Sequence, residues 1–256
     1  MIGQLDSRLL GLSDTVTAEL VPPPVDGQPA TCWRCRTWND RPDEQECWNC
    51  AQIASELEIA AVPLDLISLY RKPSQLRQWL TCYKGRPDGS EPFIPEYVDI
   101  VQALLGRFFH VHGGRITGRA PFDCIVVVPS ANPDRPPPHP LHTILSQLGL
   151  QVPIRVLLRR GPGELGFNRP ARDGFVLAEK CSPQRVFLVD DVYTTGARIN
   201  SAAAALTDAG HEVRGALVIA RRVNPDYQPA AATFWDHQRA QPFTWSDSPV
   251  VNRFIT

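Results

Sequence analysis

The sequence predicts an α/β domain: a central parallel sheet with flanking helices, preceded by a small cysteine module. Three observations carry this. From about residue 120 onward, apolar runs of strand length alternate with helical patterns. In a chain with 25 prolines, residues 96–120 and 184–224 contain none. Four of the seven cysteines fall in two close pairs within residues 32–50. Continuous apolar strands separated by helices belong to a sheet covered on both faces. Proline removes a backbone donor and breaks helices and central strands, so regular structure is expected where it is missing.

Composition bounds the answer. A chain of 256 residues fits one large domain, or one domain plus a small module. Its hydrophobic fraction of 43% supports a normal core and excludes wholesale disorder. A formal charge of −1 excludes a strongly basic, nonspecific nucleic-acid binder, although a local basic face is compatible with it. The longest apolar runs, such as residues 124–128, are too short to cross a bilayer. The first residues lack a basic segment followed by an apolar one, so no secretory signal is expected. A cytoplasmic location with reduced thiols is the expectation. Among the 26 cationic side chains only Lys72, Lys84 and Lys180 are lysine, which leaves 23 arginines. A GC-rich genome explains that bias most simply.

The elements follow in order. Residues 1–30 form an N-terminal segment and linker: a weak helical pattern at Leu5, Leu9 and Leu10, then the extended run VPPPVDGQP. Residues 31–52 are the cysteine module. Residues 53–120 are a helical hood region. A short helix is expected at 51–60 and a strand at 62–70. Leu76, Trp79, Leu80 and Tyr83 repeat at helical spacing over 74–84. After a loop at 85–92, Val101, Leu104, Leu105 and Phe108 mark a helix over 97–109. His110 and His112 read as dipole partners at its C-terminus. The core spans 121–222, with strands at 124–128, 154–158, 186–189 and 213–219 and helices at 141–150 and 199–209. Ligands of such a sheet sit at the carboxyl ends of its strands. The tail, 223–256, carries Phe234, Trp235, Phe243 and Trp245, which cover a sheet edge or form part of a hood over a ligand.

The most informative segment runs from Arg185 to Arg198. Four apolar residues form a buried strand, and Asp190 and Asp191 sit at its carboxyl end. Buried acids at such a place need partners. The turn Thr194-Thr195-Gly196-Ala197 then opens a helix. A helix start offers free backbone N–H groups and a positive dipole end to an anion. The two hydroxyls add donors, and Gly196 permits close backbone approach. The carboxylates repel a phosphate but suit ribose hydroxyls or Mg²⁺. A phosphate on one side and diol-binding acids on the other describe a phosphorylated sugar. The chain has neither a Walker A run nor a G-x-G-x-x-G.

The cysteines follow a metal-ligand pattern: Cys32-x2-Cys35, eleven residues, then Cys47-x2-Cys50. Each pair offers two thiolates to a shared tetrahedral Zn²⁺. A closed four-thiolate site has no open position, so its role is structural. Trp33, Trp38 and Trp48 are expected to supply most of a miniature core. Cys82, Cys124 and Cys181 read as ordinary thiols.

At Asp190 to Ala197 the sequence resembles the phosphoribosyl pyrophosphate (PRPP) signature of type I phosphoribosyltransferases. The resemblance implies that Asp190 and Asp191 contact ribose hydroxyls. It implies that Thr194, Thr195, Gly196 and Ala197 hold the 5′-phosphate. It places the pyrophosphate at Val128-Pro129-Ser130-Ala131, with Pro129 and Ser130 as binding residues. Arg198 stands where that family usually has Thr or Ser. A flexible loop over the sugar maps to 159–175, where Arg159, Arg160, Arg169 and Arg172 are either an anion clamp or a solvated basic loop.

With the cysteine module added, the chain is similar to the ComF family, a zinc ribbon joined to a phosphoribosyltransferase domain. Leu69-Tyr70-Arg71, Leu76-Arg77 and Tyr83-Lys84-Gly85 resemble that family's middle segment. The similarity covers roughly residues 30–222. The family's Arg-Gly-Phe-Asn-Gln run is absent, and the stretch reads Asp134-Arg135-Pro136-Pro137-Pro138. The resemblance implies PRPP with Mg²⁺, and transfer of the phosphoribosyl group to a nitrogen nucleophile. Its alternative is a non-catalytic PRPP sensor or an accessory of natural transformation. Partners implied are single-stranded DNA, a competence helicase and a second copy in a homodimer, with no membrane. Because the chain starts Met1-Ile2-Gly3 and not with Cys, glutamine-dependent activity is not expected.

Overall fold

The computed structural model describes residues 3, 5–41, 43–60, 62–86, 88–130 and 138–252. Its strands are β1 (Leu64–Tyr70), β2 (Cys124–Val127), β3 (Ile154–Arg155), β4 (Leu158–Arg160), β5 (Phe175–Leu177), β6 (Arg185–Tyr193) and β7 (Glu212–Arg222). Its α-helices are α1 (Ser7–Thr15), α2 (Trp48–Leu57), α3 (Gln75–Cys82), α4 (Glu96–Arg119), α5 (Pro140–Ser146), α6 (Ala197–Asp208) and α7 (Pro229–Arg239). The expected α/β class holds. Five strands pair in parallel in the order β1-β7-β6-β2-β3. β4 and β5 form a separate antiparallel ribbon.

Successive strand residues point to opposite faces, and that alternation builds two cores. Ile125, Val127, Phe187 and Val189 face the helices α1, α3, α4 and α5. Cys124, Val126, Val186 and Leu188 face α6, the ribbon and the cysteine module. The strand centres are therefore apolar on both faces, as a doubly covered sheet requires, and Asp65 and Ser68 of β1 and Asp190 and Asp191 of β6 are among the buried polar exceptions. The two proline-free stretches coincide with α4 and with the β6–α6–β7 unit.

Several elements depart from the sequence reading. The strand expected at 154–158 is split between β3 and β4. β3 is the outermost strand and pairs only with β2, so exposed Val156 lets the chain leave the sheet there. Helix α4 does not end near Phe109 but continues to Arg119. Buried His112, Gly113 and Ile116 carry its extra turns. His112 is thus mid-helix, where its Nε2 bonds the Trp245 carbonyl at 2.8 Å. β6 extends through both acids to Tyr193.

The free edge of β1 is covered twice. Leu69 N–H donates to Val21 O at 2.8 Å, and Leu66 exchanges two backbone bonds with Val250. The proline run beside Val21 is buried on the domain, and the tail takes the edge-covering role. No described helix is long and apolar enough to cross a membrane.

Candidate functional site

Parallel strands send their carboxyl ends in one direction, and those ends converge on one cleft. β1 leads to Lys72, β7 ends at Arg222, β6 supplies Asp190 and Asp191, and Ser130 follows β2. The cleft has a volume of about 820 Å³. The sequence-predicted Asp190, Asp191, Thr194, Thr195, Gly196, Ala197 and Ser130 all line it. Pro129 is half-buried next to Ser130. Ala131 and the Asp134-to-Pro137 stretch lie outside the described residues.

The 194–197 turn has the local geometry its residues dictate. Gly196 is the N-cap of α6, with φ of 93°, and has no side chain to cap the helix. A helix start without a cap leaves backbone donors open to a ligand. A Cβ at Gly196 would meet the Tyr193 hydroxyl and ring, so glycine is required there on two counts. Thr195 Oγ1 accepts from Asn168 N at 3.3 Å and from Ala197 N at 3.4 Å.

Asp190 and Asp191 are each 1% exposed, so each needs a partner. Arg198 supplies one. Its Nε donates to Asp190 Oδ2 at 2.9 Å and its Nη2 to Asp190 Oδ1 and, at 3.2 Å, to Asp191 Oδ1. Lys84 Nζ and the Tyr83 hydroxyl, the latter at 3.0 Å, both donate to Asp191 Oδ2. Burial pushes Asp190 up to about 6, against the pull of Arg198. Burial also acts on Asp191, but Lys84 and Arg198 outweigh it and hold that carboxyl below the usual carboxylate range. The pair titrates as a unit, with Asp191 the first to ionise and Asp190 following as pH rises through about 6.

Sequence reasoning missed the basic rim. Lys72, Arg77, Arg86 and Arg222 line the cleft beside Lys84 and Arg198. Burial and the neighbouring Arg222, Arg77 and Arg86 lower the Lys72 pKa. Such mutual repulsion is relieved by an anion. Two of the three lysines thus line this cleft, and their rarity was the available signal. Three of the four arginines offered as a clamp over 159–175 are engaged elsewhere. Arg160 donates to Gly161 O at 3.1 Å and to Gly163 O at 2.6 Å, which holds the ribbon's own turn. Arg172 pairs with Asp208 at 2.6 Å and Arg169 with Glu164 at 3.8 Å. Leu165, Gly166 and Phe167 are what the ribbon segment contributes to the cleft.

The four cysteines meet. Cys32, Cys35, Cys47 and Cys50 are buried, with ligand atoms all within 4.8 Å of one another and Cys35 and Cys47 sulfurs 3.8 Å apart. A tetrahedron with metal–sulfur bonds of about 2.3 Å has edges of about 3.8 Å, so the set fits a metal ion. The first knuckle is a tight turn: Arg36 N donates to Cys32 O at 2.9 Å, and Arg36 is left-handed at φ 56°. The expected tryptophan core does not form, since Trp48 is 54% exposed. The cysteines instead share the second core of the main domain, because so few residues bury too little surface alone.

The module is bonded directly to the 194–197 turn and the residue before it. Buried Arg221, at the end of β7, donates to Cys35 O at 3.1 Å and to the carbonyls of Tyr193, at 3.4 Å, and Thr194. Asn49, between two cysteines, donates to Thr195 O at 2.8 Å.

No family model matches the chain, and no curated protein matches it. Solved structures similar to part of it include adenine phosphoribosyltransferase from Thermoanaerobacter pseudethanolicus. That match has 16% identity over 51% of this chain and 86% of that one, with a TM-score of 0.30. Another is purine phosphoribosyltransferase from Pyrococcus horikoshii, with 16% identity over 46% of this chain and 70% of that one, and a TM-score of 0.27.

Proposed function

We propose that the cleft binds PRPP or a related ribose 5-phosphate, and that the chain is a type I phosphoribosyltransferase-like protein. The observation that carries this is the junction of an uncapped helix N-terminus with a buried acid pair in one basic-rimmed cleft. In this reading the 194–197 turn seats the 5′-phosphate through backbone N–H groups and the two threonine hydroxyls. The acids face the ribose. Lys72 and Arg222, with Ser130, face the pyrophosphate, and Arg77 and Arg86, which share Glu91 as a partner, flank them.

In transfer, a nitrogen lone pair forms the C1–N bond while the C1–O bond to pyrophosphate breaks and its electrons leave with pyrophosphate. Ionised Asp191 and the Asp190 carboxyl lie where positive charge develops on the sugar. The expected Mg²⁺ does not fit the acid pair as it stands, because Arg198 and Lys84 already occupy those carboxylates. No step here passes through that ion.

A second reading, a PRPP sensor without turnover, is favoured by one observation: Arg198 neutralises Asp190 with two bonds. Calorimetry with PRPP tests the shared premise. At a hundredfold excess over Kd, binding stabilises the fold by about 2.7 kcal/mol. No shift with PRPP, ribose 5-phosphate or pyrophosphate sinks both readings. Pyrophosphate release with a panel of bases, lost in Asp190→Asn and Asp191→Asn, separates the transferase from the sensor.

The cysteine set is proposed to hold structural Zn²⁺, which when bound replaces thiol protons with a fixed tetrahedral crosslink. A reducing cytoplasm belongs to the same proposal, since all seven cysteines are free. The transformation setting, with single-stranded DNA, a helicase and a second copy as partners, rests on the ComF resemblance alone.

A further inference from the structure

A second cavity, of about 280 Å³, lies across the phosphate turn from the acid pair. It is built where the cysteine module, the ribbon segment and the chain after β7 meet. Among the described residues, four aromatic rings are more than half exposed: Trp48 at 54%, Phe93 at 57%, Phe167 at 74% and Tyr227 at 69%. Three of these four, Trp48, Phe167 and Tyr227, line this one cavity. Trp38 also lines it and stacks on Tyr227, with centroids 6.0 Å apart and planes 25° apart. Aromatic rings gain much from burial, so three wet rings at one concave site mark a place that receives a planar group.

Two residues of the cavity lining also carry a buried polar atom that has no hydrogen-bond partner among the described residues. Asn168 Oδ1 and Arg222 Nε are buried and make no hydrogen bond, and both residues line the cavity. One accepts and the other donates. Polar atoms left unsatisfied in a pocket's lining are met when a side chain turns toward a ligand with the complementary pair. A nucleobase edge carries donors and acceptors side by side, and its face stacks on aromatic rings. The backbone N–H of Asn168 donates to Thr195 Oγ1, which fixes this residue against the phosphate turn.

The two cavities are continuous. Phe167, Thr194, Thr195 and Arg222 line both of them. We propose that the second cavity is a nucleobase subsite, so that the phosphate turn also receives a nucleoside phosphate whose base stacks among Trp48, Phe167 and Tyr227. The inference rests on the phosphate-turn reading above. A nucleotide bound this way competes with PRPP for the single phosphate seat, while its base lies away from the acid pair.

The test is a titration of the full chain with AMP and with ribose 5-phosphate, followed by tryptophan fluorescence. AMP is expected to bind about tenfold more tightly than ribose 5-phosphate, to quench the emission and to displace the sugar phosphate. Trp48→Ala is expected to remove that gain and leave ribose 5-phosphate binding unchanged. Tyr227→Ala, on the segment after β7 and outside the cleft of the acid pair, is expected to do the same. Equal affinities for the two ligands, or full AMP affinity in both variants, overturns the nucleobase subsite and leaves the phosphate turn standing. Failure of both AMP and ribose 5-phosphate to bind overturns the two together.

Discussion

Single residues set the terms of the site. Gly196 holds a left-handed backbone with no room for a Cβ. Gly196→Ala is expected to cost about 1–3 kcal/mol from the backbone alone. The clash with Tyr193 adds to that, and the variant should lose ribose 5-phosphate binding in calorimetry. Arg198 was visible in the sequence as a departure from the resembled family, but its role was not. In the structure it is the counter-ion of Asp190. Asp190 also gives a pH signature. Burial lifts it to about 6 from an ordinary 3.8. The folded state therefore holds more protons than the unfolded chain between about pH 4 and 6. This residue's contribution to stability is present at the acid end and is lost as pH rises through about 6. The wild type should lose thermal stability relative to Asp190→Asn across that window and run parallel to it above. A difference that does not vary with pH contradicts the assignment.

At the scale of elements, the cysteine module and the phosphate turn behave as one unit. Arg221 ties Cys35 to the end of β6, and Asn49 ties α2 to Thr195. If the four cysteines hold the proposed Zn²⁺, chelating it is expected to weaken ribose 5-phosphate binding as well as lower the melting temperature. Asn49→Ala removes one bond to the turn and is expected to cost about 0.5–1.5 kcal/mol. Ligand affinity should fall with it, because the carbonyl it holds belongs to Thr195 of the proposed phosphate seat. An affinity that survives chelation separates the module from the site. Both cysteine pairs were plain in the sequence, since ligand spacing is a local property. Their attachment to the turn was not, because Arg221 and Cys35 are 186 residues apart. The ribbon shows the same limit. Its arginines had the composition of a clamp, but Arg160 and Arg172 are spent on backbone carbonyls and Asp208.

For the whole molecule, the sheet's edges and ends decide what meets. Arg119, closing α4, bonds buried Asp65 of β1 at 2.6 Å and the Asn252 carbonyl at 2.7 Å. Asn252 N–H returns to Asp65 at 2.9 Å, so a helix, an edge strand and the tail share one ion pair. Arg119→Ala is expected to cost about 3–5 kcal/mol by leaving a buried charge unpaired. Chemical denaturation measures this, and a cost near zero would refute the lock. The tail's edge role was one of two sequence expectations, and the Leu66–Val250 pairing selects it.

What the sequence determined by itself was everything with a local period. Strand runs, helix faces, paired cysteines and the Thr-Thr-Gly helix start all show in a window of a few residues. Burial and backbone hydrogen bonding act within that window, so the pattern records them. Tertiary structure alone decided which charges neutralise which. Lys84 and Tyr83 reach Asp191 across 107 and 108 residues, and the aromatic cavity gathers rings from three separate segments. Those meetings depend on the order β1-β7-β6-β2-β3. Strand order sets which carboxyl ends become neighbours, and no local pattern of polar and apolar residues encodes it.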